Sequence, residues 1–128
     1  MKNNDGIVLM YNCSGDKFSK LKQIFAMLRL RMRAVEPDRY HIPLGELAQG
    51  NGEPGEMGEP LPEPLLVFCG LPQALFHQVL EVIRVAKLPP IPLKAVLTDT
   101  NRVWDTRQLY AELLKEREAI AAQKTKSV

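Results

Sequence analysis

Residues 6–13 read GIVLMYNC and residues 65–69 read LLVFC, and Gly70 follows the second run directly. Such continuous apolar runs, each ending at a turn signal, are typical of strands that are buried on both faces. After each run, apolar residues recur at three- and four-residue steps, the pattern of an amphipathic helix. Shorter strands are predicted at residues 31–36 and 93–98. Strands that alternate with helices predict an α/β protein with a parallel sheet and right-handed crossovers.

The two halves of the chain match when the first is shifted by 58 residues. Ile7 then falls on Leu65 and Phe18 on Phe76, and after a three-residue insertion Arg33 falls on Lys94. We therefore predict a single domain of two βαβα-like repeats, with a mostly parallel four-stranded sheet flanked by helices. Its parts are repeat one (6–48), a connector (49–64), repeat two (65–122) and a frayed tail (123–128). Chance convergence of two apolar patterns is the alternative.

The connector at 49–64 differs from the rest in composition. It holds four Gly, four Pro and four Glu residues and no basic residue. A segment of this kind has little apolar surface to bury, so it is expected to be an exposed, flexible linker or surface loop. An acidic tract that binds a partner is the alternative.

Two such units side by side predict the strand order 2-1-3-4, with the carboxyl ends of the first and third strands meeting at a crevice. Ligands of open parallel sheets bind at this point. The predicted ligand-binding residues are therefore those that follow the strands: Asn12, Cys13, Ser14, Gly70, Thr98, Asp99, Asn101 and Trp104. Small and polar groups beside one tryptophan suit a small polar or anionic molecule. A ferredoxin-like sheet with an antiparallel partner strand is the alternative fold. In the last loop, Trp104 precedes an Asp105 helix cap and is expected to act as a hydrophobic staple, and a ligand-binding lid of Asn101, Arg102 and Trp104 is the alternative.

Cys13 is the one catalytic candidate, because a cysteine between a buried strand and a helix can be stabilised as a thiolate. Ser14 and Gly15 would allow an anion to approach the backbone. However, the Cys-x5-Arg loop of phosphatases needs an arginine where this chain has Ser19, and the stretch only loosely resembles the phosphocysteine loop of sugar-transport IIB proteins. A cysteine-dependent phosphocarrier or phosphatase-like enzyme is thus the alternative to a non-enzymatic binding or protein-interaction module.

The remaining composition gives few functional signals. The net charge of +2 makes nucleic acid an unexpected partner, and no apolar run approaches the ~20 residues of a membrane helix. The cysteines and histidines have no metal-ligand spacing, and no cofactor motif is present. Without a recognisable export signal, a cytoplasmic location with reduced thiols is expected. The basic stretch Arg29–Arg33 indicates a protected sheet edge, with RNA or phosphate contact or an edge-to-edge homodimer as alternatives.

The second half carries a family resemblance. Leu66-Val67-Phe68-Cys69-Gly70, Pro92-Leu93-Lys94-Ala95-Val96-Leu97-Thr98 and Thr100-Asn101 with Trp104 resemble a family of small bacterial proteins known only as a domain of unknown function. That family occurs mainly in anaerobic Gram-positive species. The resemblance extends to Leu9–Asn12 and Val35–Asp38, and it implies an α/β fold in a bacterial cytosol. It implies no activity and no catalytic residue.

Overall fold

The computed structural model describes residues 6–13, 15–86, 91 and 93–126. The strands are β1 (Ile7–Tyr11), β2 (Arg31–Ala34), β3 (Leu65–Cys69) and β4 (Leu93–Val96), and the helices are α1 (Ser19–Met27), α2 (Leu44–Gln49), α3 (Gln73–Val85) and α4 (Thr106–Lys126). Short 3-10 turns lie at Asp16–Phe18, Pro37–Arg39 and Asn101–Val103. None of the helices in these ranges is long and apolar enough to cross a membrane.

The four strands form one mixed sheet in the order β2-β1-β3-β4. This is the predicted order, but the prediction of a mostly parallel sheet is wrong at its centre. β1 is parallel to β2 and β3 is parallel to β4, whereas β1 and β3 are antiparallel. The crossover rule fixes the direction of two strands only when a single helix joins them. Between β2 and β3 lie α2 and the connector, so that rule left the direction of the second pair open.

The sheet has a hydrophobic core on each face. On one face α1 and α3 cover Val8, Met10, Leu66 and Phe68. On the other face α2 and α4 cover Ile7, Leu9, Leu65 and Val67. All ten residues of β1 and β3 are buried, which confirms that the two apolar runs are strands covered on both sides.

The core under α2 and α4 also contains polar contacts that join the two halves. Thr106 at the start of α4 donates from its Oγ1 to the Tyr11 hydroxyl at 3.0 Å, and both side chains are fully buried. The ring of Tyr11 packs on that of Tyr40 with 5.7 Å between centroids. The Tyr40 carbonyl accepts the Thr106 N–H, and its hydroxyl accepts the Leu61 N–H at 3.2 Å. Burial raises the pKa of Tyr11 well above its usual range.

The connector is exposed from residue 51 to residue 60, but it is not free of the core. Leu61 is 1% exposed and belongs to the core beneath α4, a role that its Pro- and Glu-rich surroundings did not indicate. Glu63 accepts two hydrogen bonds from Arg117 and one from Tyr110, and the Arg117 pairing lowers the pKa of Glu63. Arg107 donates to the Glu59 carbonyl. The last part of the connector is therefore fastened to α4.

The helix ends agree in part with the sequence patterns. Asp105 Oδ1 accepts the Gln108 N–H at 2.9 Å, which confirms Asp105 as the cap of α4. The apolar spacing of Leu109, Leu113, Leu114 and Ile120 predicts one buried side of α4, but Ile120 is 53% exposed. Pro89, Pro90 and Pro92, whose composition predicts an extended approach to β4, lie outside the described residues.

Replacing Thr106 by Val is expected to lower the free energy of unfolding by about 1–3 kcal/mol, because it leaves the buried Tyr11 hydroxyl without its partner. Urea denaturation of both proteins measures the difference. The double variant Tyr11→Phe with Thr106→Val should recover part of this loss, since neither hydroxyl is then left unpaired. Additive losses in the double variant would contradict the assigned coupling.

Limited digestion of the native protein with a glutamate-specific protease should cut first at Glu53, Glu56 or Glu59, which lie in the exposed connector. The two fragments should then elute together in gel filtration, because β1 and β3 remain paired in the centre of the sheet. Glu81 and Glu112, within α3 and α4, serve as internal controls. Earlier cleavage at Glu81, or fragments that separate without denaturant, would contradict this architecture.

Candidate functional site

The mixed sheet divides the predicted ligand site between its two opposite ends, where the strands begin and end. Tyr11, the last residue of β1, pairs with Leu65, the first residue of β3, while Cys69 pairs with Ile7. The carboxyl ends of β1 and β3 are thus four residues apart along the strands, about 13 Å at the usual rise. Asn12 and Cys13 follow β1 at one end of the sheet. Gly70 follows β3 at the other end, where Thr98, Asp99 and Asn101 follow the parallel neighbour β4. The single predicted crevice therefore does not form.

At the carboxyl end of β1, Asn12 makes a structural contact. Its backbone takes a left-handed conformation with φ of 57°, which asparagine tolerates better than most residues. Its Nδ2 donates to the Leu61 carbonyl at 2.9 Å and so holds the end of the connector. Ser14, the third residue predicted there, lies outside the described residues.

The surroundings of Cys13 are not those of a nucleophilic cysteine. It is 6% exposed, and its Sγ donates to the Tyr11 carbonyl at 3.3 Å. Burial raises the pKa of the Cys13 thiol to about 11, although a hydrogen bond from the Leu65 backbone and the charge of Lys22 act in the opposite direction. The 3-10 turn Asp16–Phe18 intervenes before α1 begins at Ser19, so Cys13 does not lie at the first turn of that helix. A nucleophilic cysteine needs the opposite pKa shift.

Cys69 is separate from Cys13. It belongs to the core under α2 and α4, whereas Cys13 belongs to the core under α1 and α3. Burial raises the pKa of Cys69 to about 12. The two cysteines lie at opposite ends of the strands and on opposite faces of the sheet. They are therefore too far apart for the ~7 Å Cα separation that a disulfide allows. Among the described residues, no three His, Cys, Asp or Glu side chains converge on a possible metal site.

At the end of β4, Asn101 closes the turn rather than facing a ligand. Its Oδ1 accepts the Thr98 N–H at 2.8 Å, and its own N–H is donated to Thr98 Oγ1 at 3.1 Å. Its Nδ2 donates to the Val96 carbonyl at 3.0 Å. Trp104 is half-buried against the core under α4, and its carbonyl accepts the Leu44 N–H from α2. The Trp104 side chain thus packs as a staple would.

Three of the predicted residues do come together beside β4. Gly70, Thr98 and Asp99 line a hollow of about 260 Å³ with Arg102. The hollow is open and small. Of the three residues of the alternative lid, Asn101, Arg102 and Trp104, only Arg102 lines it.

A larger opening, the β4 cleft, runs along the outer side of β4 with a volume of about 490 Å³. One wall is formed by Phe76 and Leu80 of α3, and the other by Leu109 and Leu113 of α4. These residues belong to the cores on opposite faces of the sheet. Residues from both faces can line one cleft only at the open edge of a sheet, so the cleft follows the edge of β4, with Trp104 among its lining residues.

The backbone of β4 presents hydrogen-bonding groups to this cleft. The Leu97 N–H is donated to the Phe68 carbonyl of β3, so by the alternation of a strand Leu93 and Ala95 also face β3. Lys94 and Val96 therefore direct their N–H and C=O groups outward. Of these, the Val96 carbonyl already accepts from Asn101. The Val96 side chain is 44% exposed.

The opposite edge strand, β2, carries charges at the matching positions. Arg33 pairs with Leu9 on β1, and Ala95 pairs with Val67 on β3, which is in turn the direct partner of Leu9. In the sheet, Arg33 therefore corresponds to Ala95. The match between the two halves of the sequence had paired Arg33 with Lys94, one residue earlier. Charged side chains on an edge strand oppose pairing with another strand. β2 carries two arginines, Arg31 and Arg33, whereas β4 carries one lysine, Lys94.

Both thiols should resist iodoacetamide in the native protein at pH 8 and react in urea, since burial raises both pKa values. Because the native state favours the protonated thiols, their contribution to stability is complete below about pH 9 and declines as the pH approaches 11–12. A Cys13→Ala, Cys69→Ala variant should lose less of its Tm over that interval than the unaltered protein. Rapid alkylation of native Cys13 below pH 7 would contradict the inert assignment.

Comparison with known proteins bears on the second half. Residues 64–120, from the end of the connector through most of α4, match the sequence model of a family described as a domain of unknown function (DUF3783). No match was found among curated proteins or among solved structures. The resemblance is thus confirmed for the second half, while an origin in anaerobic Gram-positive bacteria stays a prediction. From β3 to α4 the chain is similar to a family whose description assigns no activity.

Proposed function

We propose that the protein is a non-enzymatic interaction module that binds an extended segment of a partner protein along β4. The observation that supports this most directly is the open edge of β4 at the floor of the β4 cleft, where Lys94 and Val96 direct backbone groups away from β3. A bound segment would become the fifth strand of the sheet, the mode known as strand addition. The family match covers β3, α3, β4 and most of α4, the elements that form this cleft.

Three backbone groups of β4 are suited to pair with such a segment. The N–H and carbonyl of Lys94 and the N–H of Val96 point away from β3. The Lys94 amine is held at the near end of the strand by the Ile91 carbonyl at 3.0 Å. Main-chain pairing of this kind supplies affinity without requiring a particular partner sequence.

The walls of the cleft supply the specificity. Side chains of an added strand alternate between its two faces, so one set would face Phe76 and Leu80 and the next would face Leu109 and Leu113. Glu112 and Glu116 of α4 also line the cleft. A segment with alternating apolar residues and a basic residue on the α4 side complements these walls.

A second copy of this chain complements the cleft less well. Lys94 and Val96 pair with Leu66 and Phe68, whose side chains face α3, so the one basic residue of β4 points away from Glu112 and Glu116. In a symmetric pair of β4 strands, the glutamates of both copies would also share one face of the joined sheet. Like charges in such positions oppose association.

The sequence match between the halves supports a related proposal, that the module arose by duplication. Each half has a strand, a helix, a second strand, a 3-10 turn and a final helix in the same order. The pair Leu9 and Val67 lies at the middle of the antiparallel centre, and the same two residues correspond in the 58-residue shift. On this proposal the first copy acquired Arg33 at its edge and a short α2, while the second copy kept an open edge and the long α4.

The test is selection of random peptides displayed on phage against the immobilised full-length protein. Peptides that bind should have alternating apolar residues and a basic residue, and their binding should protect the Lys94 and Val96 amides from hydrogen exchange. Val96→Pro should weaken a selected peptide at least about tenfold, because it removes an outward N–H and places a ring at the edge.

Ala34→Pro is the matched control, since Ala34 occupies the corresponding outward position on β2. It should leave peptide affinity within about twofold, while both proline variants should lose similar stability. Glu116→Lys should shift the selected peptides away from basic residues. Equal affinity of Val96→Pro and the unaltered protein would overturn the proposal. So would saturable binding of a small apolar dye in the cleft without any selected peptide, which indicates a small-molecule pocket.

A further inference from the structure

A hollow at the other edge of the sheet brings two arginines together. It has a volume of about 280 Å³ and is lined by Arg33 and Ala34 of β2, Arg39 of the 3-10 turn Pro37–Arg39, and Leu47, Gly50 and Asn51 at the end of α2. We call it the arginine hollow. None of its lining residues is acidic, and a water molecule takes about 30 Å³ in the liquid, so the space admits a small anion with part of its hydration.

Arg33 is fixed in position by the end of α2. Its Nη1 donates to the Leu47 carbonyl at 2.7 Å and to the Ala48 carbonyl at 3.4 Å. These carbonyls engage one nitrogen of the guanidinium and leave Nε and Nη2 to other partners. A guanidinium that is already held by the fold loses little further freedom when it binds a ligand.

Gly50 keeps the free side of that guanidinium open. Its φ of 80° ends α2 in the left-handed conformation, which glycine adopts without strain. A Cβ at this position would lie 3.2 Å from Arg33 Nη2. A larger residue would therefore crowd the Arg33 guanidinium, which lines the hollow.

Arg39 supplies the second charge. Its side chain is half-buried, and its guanidinium makes no hydrogen bond or ion pair with any residue in the described ranges. Within those ranges Arg33 likewise has no carboxylate partner. Two guanidinium groups that line one hollow repel each other unless an anion lies between them.

We propose that the arginine hollow binds a small oxyanion, such as the phosphate or carboxylate group of a small ligand, between Arg33 and Arg39. Planar guanidinium groups donate paired N–H groups that match two oxygens of such an anion. The amide of Asn51 is held by Glu46 and Gln49 and lies at the rim. This site is independent of the β4 cleft, which lies at the opposite edge of the sheet.

The test is titration of the full-length protein with inorganic phosphate and, separately, with acetate, at constant ionic strength in chloride. NMR chemical shifts of the amides and of the arginine Nε–H groups report the binding. We expect saturable shifts at Arg33, Arg39 and Gly50. Stronger binding of phosphate identifies a phosphate-type ligand, and stronger binding of acetate a carboxylate-type ligand, and either result supports the site.

Arg39→Gln should weaken the binding by about tenfold or more, because one charge-assisted pair of hydrogen bonds is lost. No hydrogen bond or ion pair of the Arg39 side chain within the described ranges is lost with this change. Arg31→Gln is the matched control, since it removes the same charge from an exposed position on β2 that lies outside the hollow. It should change the affinity by less than about twofold. Equal effects of the two variants would show diffuse attraction rather than a site, and the absence of saturable shifts with both anions would also overturn the proposal.

Discussion

The antiparallel pairing of β1 with β3 is the constraint on which the rest of the structure depends. Five residue pairs join these strands, from Ile7 with Cys69 to Tyr11 with Leu65, and each of the ten side chains is buried. Each strand brings its own parallel neighbour and its own helices. Because the two units run in opposite directions, their carboxyl ends lie at opposite ends of the sheet. The polar residues that follow the strands are therefore split between two sites instead of meeting at one.

Much of the fold could be predicted from local patterns, and the part that could not has a physical reason. Apolar runs and helical periodicity place all four strands and the two long helices, since these patterns depend on which faces are buried. The direction of β3 relative to β1 has no such local signal. Residues of a strand buried on both faces look the same in either orientation, and a connector of this length permits both.

The candidate site was predictable only in part for the same reason. The cap at Asp105 was correctly predicted, whereas Asn101, which was predicted to bind a ligand, closes the turn after β4. A ligand site at the meeting of Cys13 and Gly70 depended on parallel strands and does not form. The open edge of β4 and the arginine hollow were missed as sites because both depend on which strands lie at the margin. The arginines themselves were visible, and the prediction that they protect an edge agrees with the position of β2.

The buried hydrogen bond between Tyr11 and Thr106 spans 95 residues of sequence. A ribosome adds about 5–20 residues per second, so roughly 5 to 19 seconds pass between the synthesis of these two residues. During that interval the face of β1 that α4 covers has only the short α2 available from its own half. The newly made first half therefore carries an apolar surface that its own sequence cannot fully cover. Until α4 is made, the arginines on the edge strand β2 oppose strand-to-strand association of this half.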